Sequence, residues 1–462
     1  MRSTNPITEQ AIATNRFGLG LRADEQAPAN PQQWLIAQLD HYQMTPVEMT
    51  SARAASEIAA EYAEERLDTK NMDNAAKIAA RKMLRAKGQA LYRSEVEMRV
   101  LAALRTPAPF IERLVHFWSN HFAISANKPQ VTALAGAFER EAIRPHVLGR
   151  FEDMLLAAER HPAMLIFLDQ PRSTGPGSAA ARRAAASDKP RKRGINENLA
   201  REIMELHTLG VRTGYSQQDV TEFALALTGW SLGRRGAAQN EAPGAFKFHP
   251  GLHEPGPRTI MGRSYEQRGE EQARAVLQDL AASEATARHI ATKLARHVIA
   301  NDPPAAAVDR LSSVFSQSKG HLPAVYRTLI EAPEAWGPLP AKFKTPWEWM
   351  VSAMRGLGRL DLEGLALAPL MNQLGQPVWR PGSPAGYDDV AASWAAPDAL
   401  VRRVEVAQRL IAKVGDDLDP RSLAQKLLSN TISELTESEI SRADSKRTGI
   451  ALLLASPEFL RR

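Results

Sequence analysis

Residues 196–211 read Asn-Glu-Asn-Leu-Ala-Arg-Glu-Ile-Met-Glu-Leu-His-Thr-Leu-Gly-Val, which puts three carboxylates, two amides, an arginine and a histidine into little more than four helical turns. A helix that only covers a core needs one polar face, not this density of polar groups. At about 100° per residue, Asn198, Arg201, Glu202 and Glu205 fall on one side, while Leu199, Ile203 and Leu206 fall on the other and can face a core. Glu202 and Glu205, one turn apart, are candidate catalytic carboxylates. They can hold a hard or borderline divalent metal ion, or be neutralised by arginines, of which Arg201 is the nearest in sequence. Their spacing departs from the Glu-x-x-His pairs of di-iron bundles. His207 falls nearly opposite Asn198, so it joins the same site only if the helix end unwinds near Gly210.

Three other clusters bear on the same chemistry. His116 and His121, five residues apart, point about 140° from each other on a helix, so both cannot line one site unless that helix ends near Asn120. His121 is then a candidate catalytic residue or proton carrier at a helix end. His249, His253 and Glu254 supply two imidazoles and a carboxylate, a set that zinc, iron or copper accepts. With Glu205 they form the expected metal ligands, hydrogen bonding within the loop being the alternative. His289, Lys293 and His297 recur every fourth residue with Arg288 and Arg296 alongside, a basic stripe able to receive an anionic substrate or the acidic 196–211 helix. These readings converge on one expectation: the 196–211 helix, the end of the 110–122 helix and the 249–254 loop meet at a polar site.

Several function classes find no support. The chain has no cysteine, so disulfides, thiolate metal sites and cysteine nucleophiles are excluded. It has no Walker loop, no Gly-x-Gly-x-x-Gly after a strand and no Gly-x-Ser-x-Gly elbow. The formal charge of +6 is mild for 462 residues, and the basic run at 189–193 lacks interleaved aromatics, so nucleic acid is not expected as a partner. No uncharged apolar run approaches the roughly 18 residues of a membrane span. The first ten residues, Met-Arg-Ser-Thr-Asn-Pro-Ile-Thr-Glu-Gln, lack a signal-peptide core and a twin-arginine pair, which makes cytoplasmic residence the default expectation.

The elements that must position these groups are helical. An Ala/Met/Leu/Arg/Glu pattern from about 73 to 105 predicts one long helix or two nearly collinear ones, with Pro107 and Pro109 ending it and opening the next. Ser216 followed by Asp219 predicts a capping box, and Gly210 the end of the preceding helix. Strand signals concentrate at 246–263, where Phe246 and Phe248 alternate with polar residues. The expected fold is therefore all-α, a large multi-helix assembly with a small β-hairpin or irregular loop inserted. Residues 171–194 read as a disordered basic insert, and 375–388 as a turn-rich loop around Trp379 and Tyr387. From about 340, a C-terminal helical part is expected to pack onto the core of a single family domain spanning 1–462.

Ordered motifs along the whole chain carry a family resemblance. They run from Asn15-Arg16-Phe17-Gly18-Leu19-Gly20 through His116-Phe117-Trp118-Ser119-Asn120-His121-Phe122, His161-Pro162-Ala163-Met164-Leu165 and the 196–211 helix. Gly214-Tyr215-Ser216-Gln217-Gln218-Asp219-Val220, Ala226-Leu227-Thr228-Gly229-Trp230, Phe248-His249 and His253-Glu254 follow, then Gly375-Gln376-Pro377, Gly386-Tyr387 and Ser456-Pro457-Glu458-Phe459. In these the chain resembles the bacterial family of domain of unknown function 1800, with Glu254 standing where members often carry aspartate. The resemblance brings no reaction with it. It implies that relatives are often exported and encoded beside sulfatase-like proteins of the domain of unknown function 1501 family, which carry twin-arginine signals. Two roles follow as expectations: a metal-assisted enzyme with a Glu/His-rich site, or a non-catalytic partner or chaperone of such an exported protein, travelling with it.

Overall fold

Pro107 and Pro109 separate the two helices that organise the fold. The computed structural model describes residues 7–69, 72–186, 194–233, 243–338, 342–362, 364–412, 418–428 and 431–462. Asp73 caps the long Asn74–Arg105 helix by accepting the Ala76 N–H at 2.8 Å. After the proline break, Pro109 takes the first turn of the Pro109–His121 helix, where a missing N–H costs nothing. This second helix is buried on almost every side. Phe110, Leu114 and Trp118 are inaccessible, and so, nearly, are Glu112, Arg113 and His121. A helix apolar on one face and charged on another, yet wholly enclosed, obliges its neighbours to supply counter-charges.

The Pro109–His121 helix packs against the Ile12–Phe17 and Glu139–Ile143 turns and the Pro31–His41 helix, and Phe151, Lys293 and Glu348 reach it from the Phe151–Arg160, Glu284–Val298 and Pro346–Gly356 helices. One continuous hydrophobic cluster runs from Ile12 to Leu460, and a set of stacked rings, Trp118, Phe122 and Phe151, lies near its centre. The C-terminal part shares that core. Pro346–Gly356 is buried along its length, and Arg355 donates to the carbonyls of Gly20, Ala103 and Leu104 at 2.8–3.1 Å, tying it to the N-terminal elements.

The architecture is all-α with two small ribbons among the described residues. Trp230–Leu232 pairs antiparallel with Phe246–Phe248, in register Trp230↔Phe248. Arg258–Ile260 pairs with Arg263–Tyr265 across Met261 and Gly262. Both turn residues have positive φ, 48° and 76°, as a two-residue hairpin matched to strand twist requires. The expectation of a hairpin within 246–263 therefore holds for its second half, while Phe246–Phe248 finds its partner upstream, at 230–232.

The reading of 171–194 as disordered differs from the structure over 171–186. Gln170–Arg172 forms a 3-10 turn, and Ser178 caps a short Ala179–Ala185 helix through the Ala181 N–H at 3.2 Å. Alanine's helix propensity and a serine cap order this stretch locally, without large apolar groups. The Gly177 N–H also donates to Glu254 Oε2 at 2.6 Å, which pins the turn to the 249–254 loop. Residues 187–193, with the Lys-Pro-Arg-Lys-Arg run, lie outside the described residues.

Candidate functional site

The charges on the Pro109–His121 helix are matched by a buried ion network. Arg144 grips Glu112 with both terminal nitrogens, at 2.8 and 2.6 Å, and reaches Glu139 at 3.2 Å. Glu139 also receives Arg99 Nε at 2.7 Å and Trp379 Nε1 at 3.0 Å. It lies on a π-helical turn, Glu139–Ile143, that continues the Pro129–Phe138 helix. Burial opposes ionisation of Glu112, but Arg144 and His116 outweigh it and hold this carboxyl well below the usual range. Arg99 in turn is stacked between two indoles, 4.2 Å from the Trp347 ring centre and 5.3 Å from that of Trp379. Trp347 Nε1 donates to His116 Nδ1 at 3.0 Å, which places the His116 proton on Nε2, 3.3 Å from Glu112 but poorly aligned for a hydrogen bond.

Beside this network lies a cavity of about 270 Å³. Its walls are the Pro109–His121 helix, the Glu284–Val298 helix, the start of Pro346–Gly356 and the 376–390 loop. The loop is held against the helix by a paired contact. Asn120 Nδ2 donates to the Tyr387 carbonyl at 2.9 Å and Asn120 Oδ1 accepts the Tyr387 N–H at 2.7 Å. Gly386 makes this approach possible. It sits at φ 83°, and a Cβ there would stand 2.4 Å from the Asn120 carbonyl oxygen.

Three residues of one helix face, Lys293, Arg296 and His297, line the cavity. Lys293 Nζ donates to His121 Nδ1 at 3.0 Å, and His121 Nε2 donates to the His207 carbonyl at 3.1 Å. This fixes His121 as the neutral Nε2–H tautomer. Its pKa is pushed well below the ordinary value by burial first, then by Lys293, His207 and His289. Burial also lowers Lys293 to about 8, helped by Arg296 and opposed by Asp389. One turn on, His297 Nδ1 donates to Asp389 Oδ2 at 2.5 Å, and Lys342 holds the other Asp389 oxygen at 3.0 Å. His297 Nε2 then carries a lone pair and has no hydrogen-bond partner. Arg296 donates Nε to the Asn301 carbonyl at 3.0 Å and has no carboxylate within salt-bridge reach among the described residues.

The expected residues divide into two groups. His121, Lys293, His289 and His207 come together: the His121 ring centre lies 6.1 Å from that of His207 and 6.2 Å from that of His289. His207 joins them because the helix widens at its end. Asn198–Glu202 is α-helical, Ile203–His207 is a π turn, and Gly210 follows at φ 92°. His207 Nδ1 there faces buried Glu159 at 2.7 Å, and His289 Nε2 donates to the Leu206 carbonyl at 3.1 Å.

The proposed metal ligands do not converge. Glu205 meets Arg201 at 3.5 Å, while Arg201 also pairs with Glu197 at 3.1 Å. Glu202 is half-buried, and burial raises its pKa, with Glu205 and Glu159 adding to the effect. His249 Nε2 donates to the Leu232 carbonyl at 2.9 Å, His253 Nδ1 to the Thr228 carbonyl at 2.8 Å, and Glu254 is engaged by Gly177. Each nitrogen or oxygen so used is turned toward local backbone. No group of three or more His, Asp or Glu among the described residues has the arrangement of a metal site. The 249–254 loop thus closes the Trp230 ribbon against 175–177 instead of joining the cavity.

Arg99, Glu112, Glu139, Glu348 and Asp389 were not singled out by sequence. Only the density of Gly and Pro around Trp379 and Tyr387 hinted that the loop leading to Asp389 is shaped for a purpose.

The model of the family described as protein of unknown function, DUF1800, matches residues 12–461. The chain belongs to that family. The matched span takes in every wall of the cavity, so the site sits inside the DUF1800 domain. No curated protein and no solved structure matches the chain. No helix among the described residues is long and apolar enough to cross a membrane.

Proposed function

We propose that this DUF1800 protein is an enzyme whose Lys293 exchanges a proton with a small polar molecule bound in the cavity. The observation that carries this reading is the Lys293–His121 contact at 3.0 Å. A lysine that served only to balance charge would face a carboxylate and stay protonated. Lys293 faces a neutral imidazole acceptor, which orients the amine without supplying a negative charge, and burial brings it to about 8, near the operating range of a general base. As the free amine, Lys293 donates one N–H to His121 and keeps its lone pair for a substrate proton, becoming the ammonium. His297, oriented by Asp389, offers a second basic nitrogen one turn away. The cavity is just below the roughly 300–1,000 Å³ usual for small-molecule sites, and its lining sets the aromatic rings of Phe117, Trp347, Trp379 and Tyr387 among charged and hydrogen-bonding side chains. The reading is preferred to the metal-assisted route through Glu205 and the 249–254 loop because no group of three or more His, Asp or Glu among the described residues is arranged to hold a metal ion.

The test is turnover, followed by mass spectrometry, on a panel of small hydroxy-, keto- and amino acids and their esters. At least one compound should be altered by the wild-type protein and left intact by a Lys293→Met variant shown to be folded by circular dichroism. Equal turnover by that variant, or no turnover of any panel member, would overturn the proposal and favour the non-catalytic partner role.

A further inference from the structure

The structure assigns to this cavity a ligand that carries an oxyanion, seated on Arg296 beside Lys293. The assignment rests on the cavity being the functional site and adds the class of molecule that fills it.

Cation pairing around the cavity is uneven. Arg99 is matched by Glu139 at 2.7 Å and Arg113 by Glu348. Two of the three lining carboxylates, Glu348 and Asp389, are already held by cations. Glu348 also takes Arg462 at 2.8 Å and the Thr345 N–H at 2.9 Å. Asp389 is shared by His297 and Lys342, and Asp388 accepts the Ser393 hydroxyl at 2.9 Å. Among the described residues, Arg296 bonds to the Asn301 carbonyl alone. It stands three residues from Lys293 on the same helix face, so two cations repel each other at the wall of one cavity.

Free hydrogen-bond donors point the same way. Gln376 Oε1 accepts the Trp347 backbone N–H at 2.8 Å, and its Nε2 group bonds to no described residue. The Ser119 hydroxyl, also at the lining, bonds to no described residue. An arginine fork in a cavity also lined by amide and hydroxyl donors suits a carboxylate, phosphate or sulfate group. It repels a bare metal cation. An oxyanion on Arg296 would leave the rest of the molecule beside Lys293, one turn away, which is where a proton would be exchanged.

Calorimetric titration with succinate, glycerol 3-phosphate and sulfate, with glycerol as the neutral control, tests this at constant ionic strength. At least one anion should bind saturably, glycerol should not, and Arg296→Gln should weaken binding tenfold or more while Arg296→Lys keeps part of it. The anion that binds best identifies the oxyanion type. Absence of saturable anion binding, or equal binding by the folded Arg296→Gln variant, would overturn the inference. Lys293→Met separates this from the catalytic reading. Anion binding that depends on Arg296 and survives in Lys293→Met supports the inference even if turnover by that variant is unchanged and the catalytic reading fails.

Discussion

His121 and Lys293 stand 172 positions apart in the chain, and Lys293 Nζ donates to His121 Nδ1 at 3.0 Å. The pairing is unusual in what it omits. His121 accepts with a neutral ring whose other nitrogen is committed to the His207 carbonyl, so it orients the amine and offers no compensating charge. The groups around Lys293 are His289, Arg296 and His297 on its own helix and Asp389 from the loop. Only Asp389 favours the ammonium, and it is shared with His297 and Lys342.

Stability should fall as pH drops from about 6.5 toward 4. Burial, with Arg99 adding, lowers His116 to about 4, and burial with Lys293 lowers His289 to about 4. An unfolded histidine titrates near 6.5. Below that pH the unfolded chain takes up protons the folded chain refuses, so the contribution is complete above 6.5 and lost as pH falls toward the folded value. His116 alone represents about 3 kcal/mol across that window. Urea midpoints at pH 7.0, 5.5 and 4.5 measure it, and a flat profile would contradict the neutral buried histidines.

Arg144→Met should cost about 3–5 kcal/mol, since it leaves Glu112 and Glu139 buried without their shared cation. The double variant with Glu112→Gln should recover part of the loss, because the stranded carboxylate is removed while Glu139 keeps Arg99. Chemical denaturation of the three proteins checks this. A single-variant loss below about 1 kcal/mol would mean that the network is solvated in solution.

Gly386→Ala should destabilise by about 1–3 kcal/mol, because alanine is strained at φ 83° and its methyl would strike the Asn120 carbonyl. The same displacement moves Asp389, so binding in the cavity should weaken as well. Thermal melts and the calorimetric titration read the two effects. Unchanged values for both would show that the loop is not held as described.

Much of the helical frame was legible. The proline break at 107–109, the Ser216–Asp219 capping box and the end of a helix before Gly210 follow from local chemistry. The face of His289, Lys293 and His297 follows from 3.6-residue periodicity. What it faces did not, because the contact of Lys293 with His121 is set by tertiary packing. The arrangement of the 196–211 segment was illegible for a related reason: Arg201 pairs with Glu197 and Glu205, Gln217 and Thr221 of another segment add hydrogen bonds to Glu197, and a π turn rotates His207 away from an ideal helical register. In the 249–254 loop, residue types suggested ligands, but proline and glycine turn the imidazoles toward backbone carbonyls. Glu139 and Asp389 carry no local pattern at all; only their arginine, lysine and histidine partners from distant segments give them a role.

The most direct measurement is the pH dependence of acylation at Lys293, read residue by residue with an amine-reactive reagent and mass spectrometry on the intact folded protein. Lys293 should reach half-maximal reactivity near pH 8, well below the roughly 10.4 of an ordinary lysine. Reactivity at Lys293 that rises only near pH 10 would contradict it.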